Sequence, residues 1–189
     1  MTPTLVLAST SPQRRAILEQ LQIPFEAEAP SYVEHDPPDA DPVALVRKHA
    51  AGKARSVHRP GRVTLGVDTT VHLDGRVYGK PRDEGEAMAM LGELAGRDHT
   101  VLSGVCLLTE ATEDVEVAAT LVRFRPLEAT DVARYVSSGE WAGRAGGYAI
   151  QGLGGRLVER IEGDYLNVVG LPGALLVDLL ERRVPALLA

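Results

Sequence analysis

The stretch TLVLASTSPQRR, Thr4–Arg15, predicts a strand followed directly by a helix. Its first half is an apolar run of strand length. In its second half, Ser11 is a helix N-cap and Pro12 occupies the first helical position. A helix N-terminus that follows a strand in this way leaves backbone N–H groups free to bind an anion. We therefore expect an anion-binding position within this junction.

Beyond this junction, apolar runs of strand length alternate with helical patterns. Val43–Val57 has a helical pattern, and Val63–Asp68 is an apolar strand that we expect to end at Asp68. Asp74-Gly75 is a strong hairpin signal, because both residues tolerate positive φ. This order predicts an α/β protein with a mixed, partly antiparallel twisted sheet flanked by helices. A length of 189 residues predicts a single domain over residues 1–189.

Charge and hydropathy exclude some classes of partner. The formal net charge of −6 counts against a nucleic acid partner, whose phosphates are bound by clustered Lys and Arg. No apolar run approaches the roughly 20 residues that a membrane span requires, so we expect no membrane partner and a cytoplasmic location. The single cysteine, Cys106, lies in an apolar run and is interpreted as a buried side chain.

Polar residues crowd the first strand-to-helix junction. Ser9, Ser11 and Arg14 could offer hydroxyl groups, backbone N–H groups and a guanidinium to phosphate oxygens. The alternative is structural: Ser11 would be a plain helix cap and Arg14 a solvated helix residue.

Asp68 follows an apolar strand and precedes two threonines. A carboxylate in this place could bind a metal or a water molecule, although a turn-forming aspartate is the alternative. The sequence has no paired-histidine metal cluster. Any metal is therefore expected to be Mg²⁺ or Mn²⁺, held by oxygen ligands with help from substrate phosphates.

Two further candidates lie beside glycines. Lys80, one of three lysines, stands between Gly79 and Pro81, where a fixed backbone could direct its charge at a phosphate. Gln151 follows a glycine-rich stretch, and its amide suits the edge of a pyrimidine base. A solvated lysine and an exposed glutamine are the alternatives.

Together these motifs resemble the Maf family of nucleoside triphosphate pyrophosphatases over nearly the whole chain. The matching stretches are LASTSPQR (7–14), GVDTTV (66–71), GKP (79–81), GRDH (96–99), GGYAIQG (146–152) and NVVGLP (167–172). The resemblance implies a Maf/ITPase-like fold with two lobes around a central cleft. It also implies hydrolysis between the α and β phosphates, a divalent cation, Mg²⁺ or Mn²⁺, and a homodimer.

The resemblance also implies roles for individual residues. Asp68 falls on the position of the family's general base. Asp68 and Glu34 fall on the positions of its metal site. The positions that bind the phosphates are Ser9, Arg14, Lys53 and Lys80. Phosphoryl transfer is catalysed mainly by positioning and charge neutralisation, which this set of residues can supply.

Base preference is expected to depend on Gln13, Thr69 and Gln151. Thr69 and Gln151 resemble the branch of the family that acts on dTTP and UTP, rather than the branch that acts on 7-methyl-GTP. Gln13 stands where the first branch usually has Arg and the second Trp, which leaves the exact base preference open. Arg144 stands where lysine is common.

The favoured hypothesis is an enzyme that removes dTTP, UTP or modified pyrimidine triphosphates by hydrolysis to the monophosphate and pyrophosphate. The alternative is a nucleotide-sensing regulator of cell division or septum formation, in which binding matters rather than turnover. The presence of Asp68 favours turnover. A DNA-binding septum factor is a third possibility, and the negative charge counts against it.

Overall fold

The computed structural model describes residues 4–35, 37 and 40–188. Within these residues the chain forms seven strands and six α-helices. The strands are β1 (Leu5–Ala8), β2 (Phe25–Glu28), β3 (Val63–Leu73), β4 (Arg76–Tyr78), β5 (Asp98–Leu108), β6 (Glu113–Phe124) and β7 (Val158–Glu162). The helices are α1 (Pro12–Gln20), α2 (Pro42–Val57), α3 (Glu84–Leu94), α4 (Ala129–Val136), α5 (Tyr165–Val169) and α6 (Gly173–Arg183).

The strands form one mixed sheet in the order β2-β1-β3-β5-β6-β7, with β4 paired to β3. Strand β1 runs parallel to β2 and to β3. Strand β4 is antiparallel to β3, and β7 is antiparallel to β6. The prediction of an α/β protein with a mixed, partly antiparallel sheet flanked by helices is therefore confirmed.

The junction between β1 and α1 forms as the sequence predicts. All four residues of β1 are fully buried, because the strand pairs on both sides. Ser11 adopts an extended backbone conformation, with φ −66° and ψ 120°, and its hydroxyl group accepts a hydrogen bond from the backbone N–H of Arg14 at 3.4 Å. Pro12 occupies the first turn, where its missing N–H costs nothing.

Strand β3 differs from the expectation that it ends at Asp68. It continues without a break to Leu73, where the hairpin begins with Asp74 at φ 49° and Gly75 at φ 82°. The β-branched residues after Asp68 favour an extended backbone, and the carboxylate is held by a distant lysine rather than by a local turn. The hairpin prediction is confirmed, whereas a turn at Asp68 is wrong.

Helix α2 packs against β3 and β5 at two glycines. A Cβ atom at Gly66 would overlap the carbonyl oxygen of Ala50, and one at Gly104 would overlap the carbonyl of Val46. Strand residues two apart share a face, so Asp68 points to the same side as Gly66. The close approach at Gly66 therefore places the α2 backbone beside Asp68.

The described residues group into two compact units. The first takes its residues from Met1–Thr69, Ser103–Ala118 and Gly170–Ala189, and the second from Thr70–Leu102 and Ala119–Val169. In the first unit, Cys106 packs among alanines of α2, and burial raises the pKa of its thiol to about 12. The prediction of a buried cysteine is confirmed.

The second unit has an apolar core of its own. Its largest fully buried side chains include Leu91, Leu94 and Phe124. The short helix α5 in this unit has no counterpart in the sequence analysis, because five residues are too few for a helical period to be visible. Among the residues described, no helix combines the length and apolar character needed to cross a membrane.

Candidate active site

A buried lysine lies between two carboxylates in the first unit. The Lys53 Nζ atom, on α2, donates to Asp68 Oδ1 on β3 at 2.6 Å. The same nitrogen lies 2.7 Å from Glu34 Oε1. Lys53 is 7% exposed and Asp68 is 9% exposed. Buried charges need partners, so the Lys53 ammonium and the Asp68 carboxylate hold each other in place.

This trio has the chemistry of a cation site. One ammonium between two carboxylates leaves a net negative charge, and carboxylate oxygens are the ligands that Mg²⁺ and Mn²⁺ prefer. In the part of the chain that the structure describes, no three His, Cys, Asp or Glu side chains form a group that could hold a metal. A cation held by Asp68 and Glu34 would therefore need further oxygen ligands from a substrate or from water.

The Arg14 guanidinium is held by three neutral acceptors. Its Nε donates to the carbonyl oxygen of Gly170 at 3.0 Å, Nη1 donates to Ser9 Oγ at 3.2 Å, and Nη2 donates to Thr69 Oγ1 at 3.3 Å. Burial lowers the pKa of Arg14, and the nearby carboxylates of Asp68 and Glu34 act in the opposite direction. The guanidinium stays charged, because its ordinary pKa is far above neutral.

These contacts leave part of the guanidinium available. Arginine has five N–H donors, of which the three contacts use one on each nitrogen. One N–H therefore remains on each terminal nitrogen, and each can donate to a phosphate oxygen. Ser9 is 4% exposed and also accepts from the Ser11 N–H at 3.1 Å, so it fixes the junction as well.

The side chains of Gln13 and Thr69 are both held by hydrogen bonds near this junction. The Ser11 hydroxyl donates to Gln13 Oε1 at 3.1 Å, so the Gln13 side chain folds back on the helix cap. Thr69 Oγ1 lies 2.9 Å from Ser103 Oγ and 3.3 Å from the carbonyl oxygen of Gly170. The sequence analysis missed Ser103, which is fully buried in β5. A polar residue inside an apolar strand was the signal that could have found it.

Lys80 and Gln151 lie in the second unit, and both are exposed. The carbonyl of Gly79 accepts from the Gly146 N–H at 3.0 Å, which ties the segment before Lys80 to the glycine-rich segment before Gln151. Gly146 has φ 68° and lies against Val71, so position 146 requires a glycine. Among the described residues, the structure shows no hydrogen bond or ion pair to the side chains of Lys80 and Gln151.

Polar side chains on both sides fix the segment that carries Gln151. Tyr148 contacts His99 Nε2 through its hydroxyl group at 2.9 Å, and Tyr135 accepts from the Ala149 N–H at 3.1 Å. The carboxylate of Glu140 accepts from the N–H groups of Leu153 and Gly154, at 3.0 and 2.9 Å. Burial lowers the pKa of His99 to about 4. The sequence analysis did not assign any of these contacts, because they join distant parts of the chain.

The comparisons with known proteins agree with the motifs. The family model described as Maf-like protein matches residues 4–183. A dTTP/UTP pyrophosphatase of Gloeobacter violaceus is 46% identical over 189 residues, which cover 97% of this chain and 100% of that protein. A dTTP/UTP pyrophosphatase of Symbiobacterium thermophilum is 48% identical over 170 residues, 89% of this chain and 88% of that protein. A third, of Deinococcus radiodurans, is 43% identical over 181 residues, 95% of this chain and 92% of that protein.

The family model spans nearly the whole chain, and the relatives match over almost their full length. The junction between β1 and α1 and the strand that carries Asp68 also form at the positions of their motifs. This chain therefore belongs to the family of Maf-like proteins.

Proposed function

We propose that this chain hydrolyses nucleoside triphosphates, preferentially dTTP and UTP, to the monophosphate and pyrophosphate. The observation that carries the proposal is the pairing of Asp68 with Lys53, in the same unit as an Arg14 guanidinium held by three neutral acceptors. The relatives named dTTP/UTP pyrophosphatase support the substrate class. Modified pyrimidine triphosphates are included in the proposed class.

In this proposal Asp68 is the general base. One carboxylate oxygen accepts from Lys53, and the other can accept a proton from the attacking water. Lys53 holds the carboxylate in one orientation, since a buried aspartate without a partner would be costly. Attack at the α-phosphate would then release pyrophosphate.

Ser9, Arg14 and Lys53 are proposed to bind the phosphates. The two N–H groups that Arg14 has left can bond to phosphate oxygens, and the backbone N–H of Gln13 in the first turn of α1 can add to them. Charge neutralisation of the departing pyrophosphate is the main contribution expected from such residues. Lys80 is assigned to the same task on its family motif alone.

Asp68 and Glu34 are the residues that would hold a divalent cation, Mg²⁺ or Mn²⁺. A bound cation would supply positive charge against the triphosphate. The Lys53 ammonium already lies between these two carboxylates. This arrangement supports the proposal, because it shows that their oxygens face a positive charge.

Gln151, Gln13 and Thr69 are proposed to influence the choice of base. Gln151 is exposed at the end of a fixed segment, and its amide can both donate to and accept from a pyrimidine edge. The Gln13 side chain bonds to the α1 cap, so its effect on base choice is expected to pass through the position of the helix start.

Residues 1–189 are proposed to act as one domain in the cytoplasm, and, on the family resemblance alone, as a homodimer. Light scattering on the purified protein tests the dimer. A mass of one chain would overturn it.

The test of function is release of monophosphate and pyrophosphate from dTTP, UTP, CTP, GTP and 7-methyl-GTP, with Mg²⁺ or Mn²⁺. Wild type is compared with Asp68→Asn. The matched control is Asp74→Asn, an exposed hairpin position where asparagine also tolerates positive φ. Pyrimidine turnover that is lost in Asp68→Asn and kept in Asp74→Asn supports the proposal.

Turnover restricted to 7-methyl-GTP would keep the reaction and overturn the base preference. Binding without turnover of any triphosphate would favour the nucleotide-sensing regulator of cell division. An Asp68→Asn protein that still performed its cellular role would favour the same alternative.

A further inference from the structure

Residues 31–35 form a segment outside the helices and strands that brings Glu34 to Lys53. The Glu34 carboxylate lies 2.7 Å from the Lys53 ammonium, although the Glu34 side chain is 45% exposed. An exposed glutamate loses rotamer freedom when it keeps one such contact. The position of Glu34 therefore depends on what holds the segment in place.

Tyr32 is the half-buried residue of this segment, whereas residues 31 and 33–35 are exposed. Its hydroxyl group lies 3.0 Å from His49 Nδ1 on α2, within hydrogen-bond distance, and the centres of the two rings are 5.6 Å apart. A Cβ atom at Gly52 would lie 2.3 Å from Cε2 of Tyr32, and the three atoms nearest to it all belong to the Tyr32 ring. The ring therefore fills the space that a side chain at position 52 would take.

The spacing on α2 connects this contact to the carboxylates. His49, Gly52 and Lys53 are related as i, i+3 and i+4, so they share one face of the helix. Tyr32 packs over the first two, and Glu34, two residues further along the segment, contacts the third. The Tyr32 contact therefore sets the place from which Glu34 reaches the ammonium that it shares with Asp68.

We propose that Tyr32 is a positioning residue that, by packing on Gly52 and bonding to His49, holds Glu34 beside Asp68 for a divalent cation. The inference rests on the proposed function, which assigns Glu34 and Asp68 to the cation. It adds the side chain that places Glu34 and the glycine that accommodates it. Tyr32 touches no cation here, and its effect is to order the segment before a cation binds.

The test measures Mn²⁺ binding without substrate, from the electron paramagnetic resonance signal of free Mn²⁺. Turnover of dTTP is measured beside it over a range of Mg²⁺ concentrations. The variants are Tyr32→Ser, Tyr32→Phe and Gly52→Ala. The matched control is Val33→Ala, because Val33 lies in the same segment, between Tyr32 and Glu34, but is 83% exposed.

Tyr32→Ser is expected to weaken Mn²⁺ binding about tenfold, because the segment must then be ordered as the cation binds. Ordering the backbone of one residue changes a binding constant by roughly fivefold to thirtyfold. Tyr32→Phe keeps the ring on Gly52 and should lose less than about threefold. The Mg²⁺ concentration for half-maximal turnover should rise in parallel, while kcat at saturating Mg²⁺ stays within about twofold, and Val33→Ala should match wild type.

Gly52→Ala tests the same contact without changing Tyr32 or Glu34. The added methyl group displaces the Tyr32 ring, so Mn²⁺ binding should weaken about fivefold to tenfold. In a Tyr32→Ser background the ring is gone. There Gly52→Ala should change the affinity by less than about twofold and raise the Tm, since alanine favours a helix over glycine. A Gly52→Ala protein with wild-type Mn²⁺ affinity would overturn the proposal.

A background that lacks the carboxylate separates positioning from general damage to the fold. In Glu34→Gln, adding Tyr32→Ser should change Mn²⁺ affinity by less than about twofold, because the group that Tyr32 positions is no longer a carboxylate. The same added loss as in wild type would mean that Tyr32 does not act through Glu34, and the proposal would fail.

Failure of the proposed function would look different. A wild-type protein that binds Mn²⁺ but hydrolyses no triphosphate removes the function, while the variants still decide how Glu34 is positioned. A wild-type protein that binds no Mn²⁺ overturns the positioning proposal itself.

Discussion

Replacement of Lys53 by methionine is expected to destabilise the fold strongly. Removing one partner of a buried ion pair costs roughly 3–5 kcal/mol, because the remaining charge is left without a partner. The Glu34 side chain is 45% exposed, so its share of the interaction is screened and worth about 0–1 kcal/mol. The Asp68 side chain is only 12% exposed, so most of the free-energy cost of leaving a buried charge without its partner falls on this carboxylate. We therefore expect a loss of roughly 2–4 kcal/mol, after allowing for some entry of water.

The assay is urea and thermal unfolding of Lys53→Met beside Lys48→Met. Lys48 lies on the same helix but is exposed, so its replacement removes the same group at a position that needs no partner. For a chain of this size, the expected loss lowers the Tm by roughly 5–15 °C. Equal unfolding free energies for the two variants would refute the reasoning, because the Asp68 carboxylate would then not depend on Lys53.

Three further predictions concern stability and reactivity. Gly66→Ala should lower the free energy of unfolding by more than about 3 kcal/mol, because the added methyl group overlaps Ala50. Gly92→Ala, in open space on α3, should raise it by about 0.5–1 kcal/mol. Denaturant unfolding measures both, and a small loss of stability in Gly66→Ala would contradict the close packing. The pKa of His99 falls from 6.5 to about 4 on folding, so the unfolded chain binds the extra proton and stability is lost as the pH falls through this range, by roughly 3 kcal/mol in total. His99→Gln should remove that loss, and an unchanged pH profile of unfolding would show that His99 is not its source. Cys106 should react with a thiol reagent only as fast as the protein unfolds, because it is fully buried and its pKa is about 12; rapid labelling of the folded protein would argue against this burial.

The local parts of the fold could be predicted from the sequence because their causes are local. Ser11 and Pro12 mark a helix start by their own chemistry, and Asp74-Gly75 marks a hairpin by its tolerance of positive φ. The continuation of β3 beyond Asp68 was not predictable in this way. The Asp68 carboxylate, which a local turn would use, is bound instead by Lys53, which lies 15 positions earlier on a helix.

The charged residues of the candidate site carry signals in the sequence, whereas the groups that hold them in place do not. Charged residues in recurring motifs are visible in a sequence, whereas a carbonyl such as that of Gly170 has no side chain to identify it. Ser103 is separated from Thr69 by 34 positions, so only the pairing of strands reveals their contact. The hydrogen bonds that Glu140 accepts from the segment after Gln151 are also hidden in the sequence, since they join this side chain to backbone groups 13 and 14 positions away.

The close approach of α2 at Gly66 and Gly104 has a consequence for moving this chemistry to another protein. The 2.6 Å contact between Lys53 and Asp68 depends on how near the helix lies to the strands, and two residues without side chains set that distance. A graft of the charged residues alone onto another α/β scaffold would separate the ammonium from the carboxylate. The transferable unit therefore includes the glycines, although they carry no functional group.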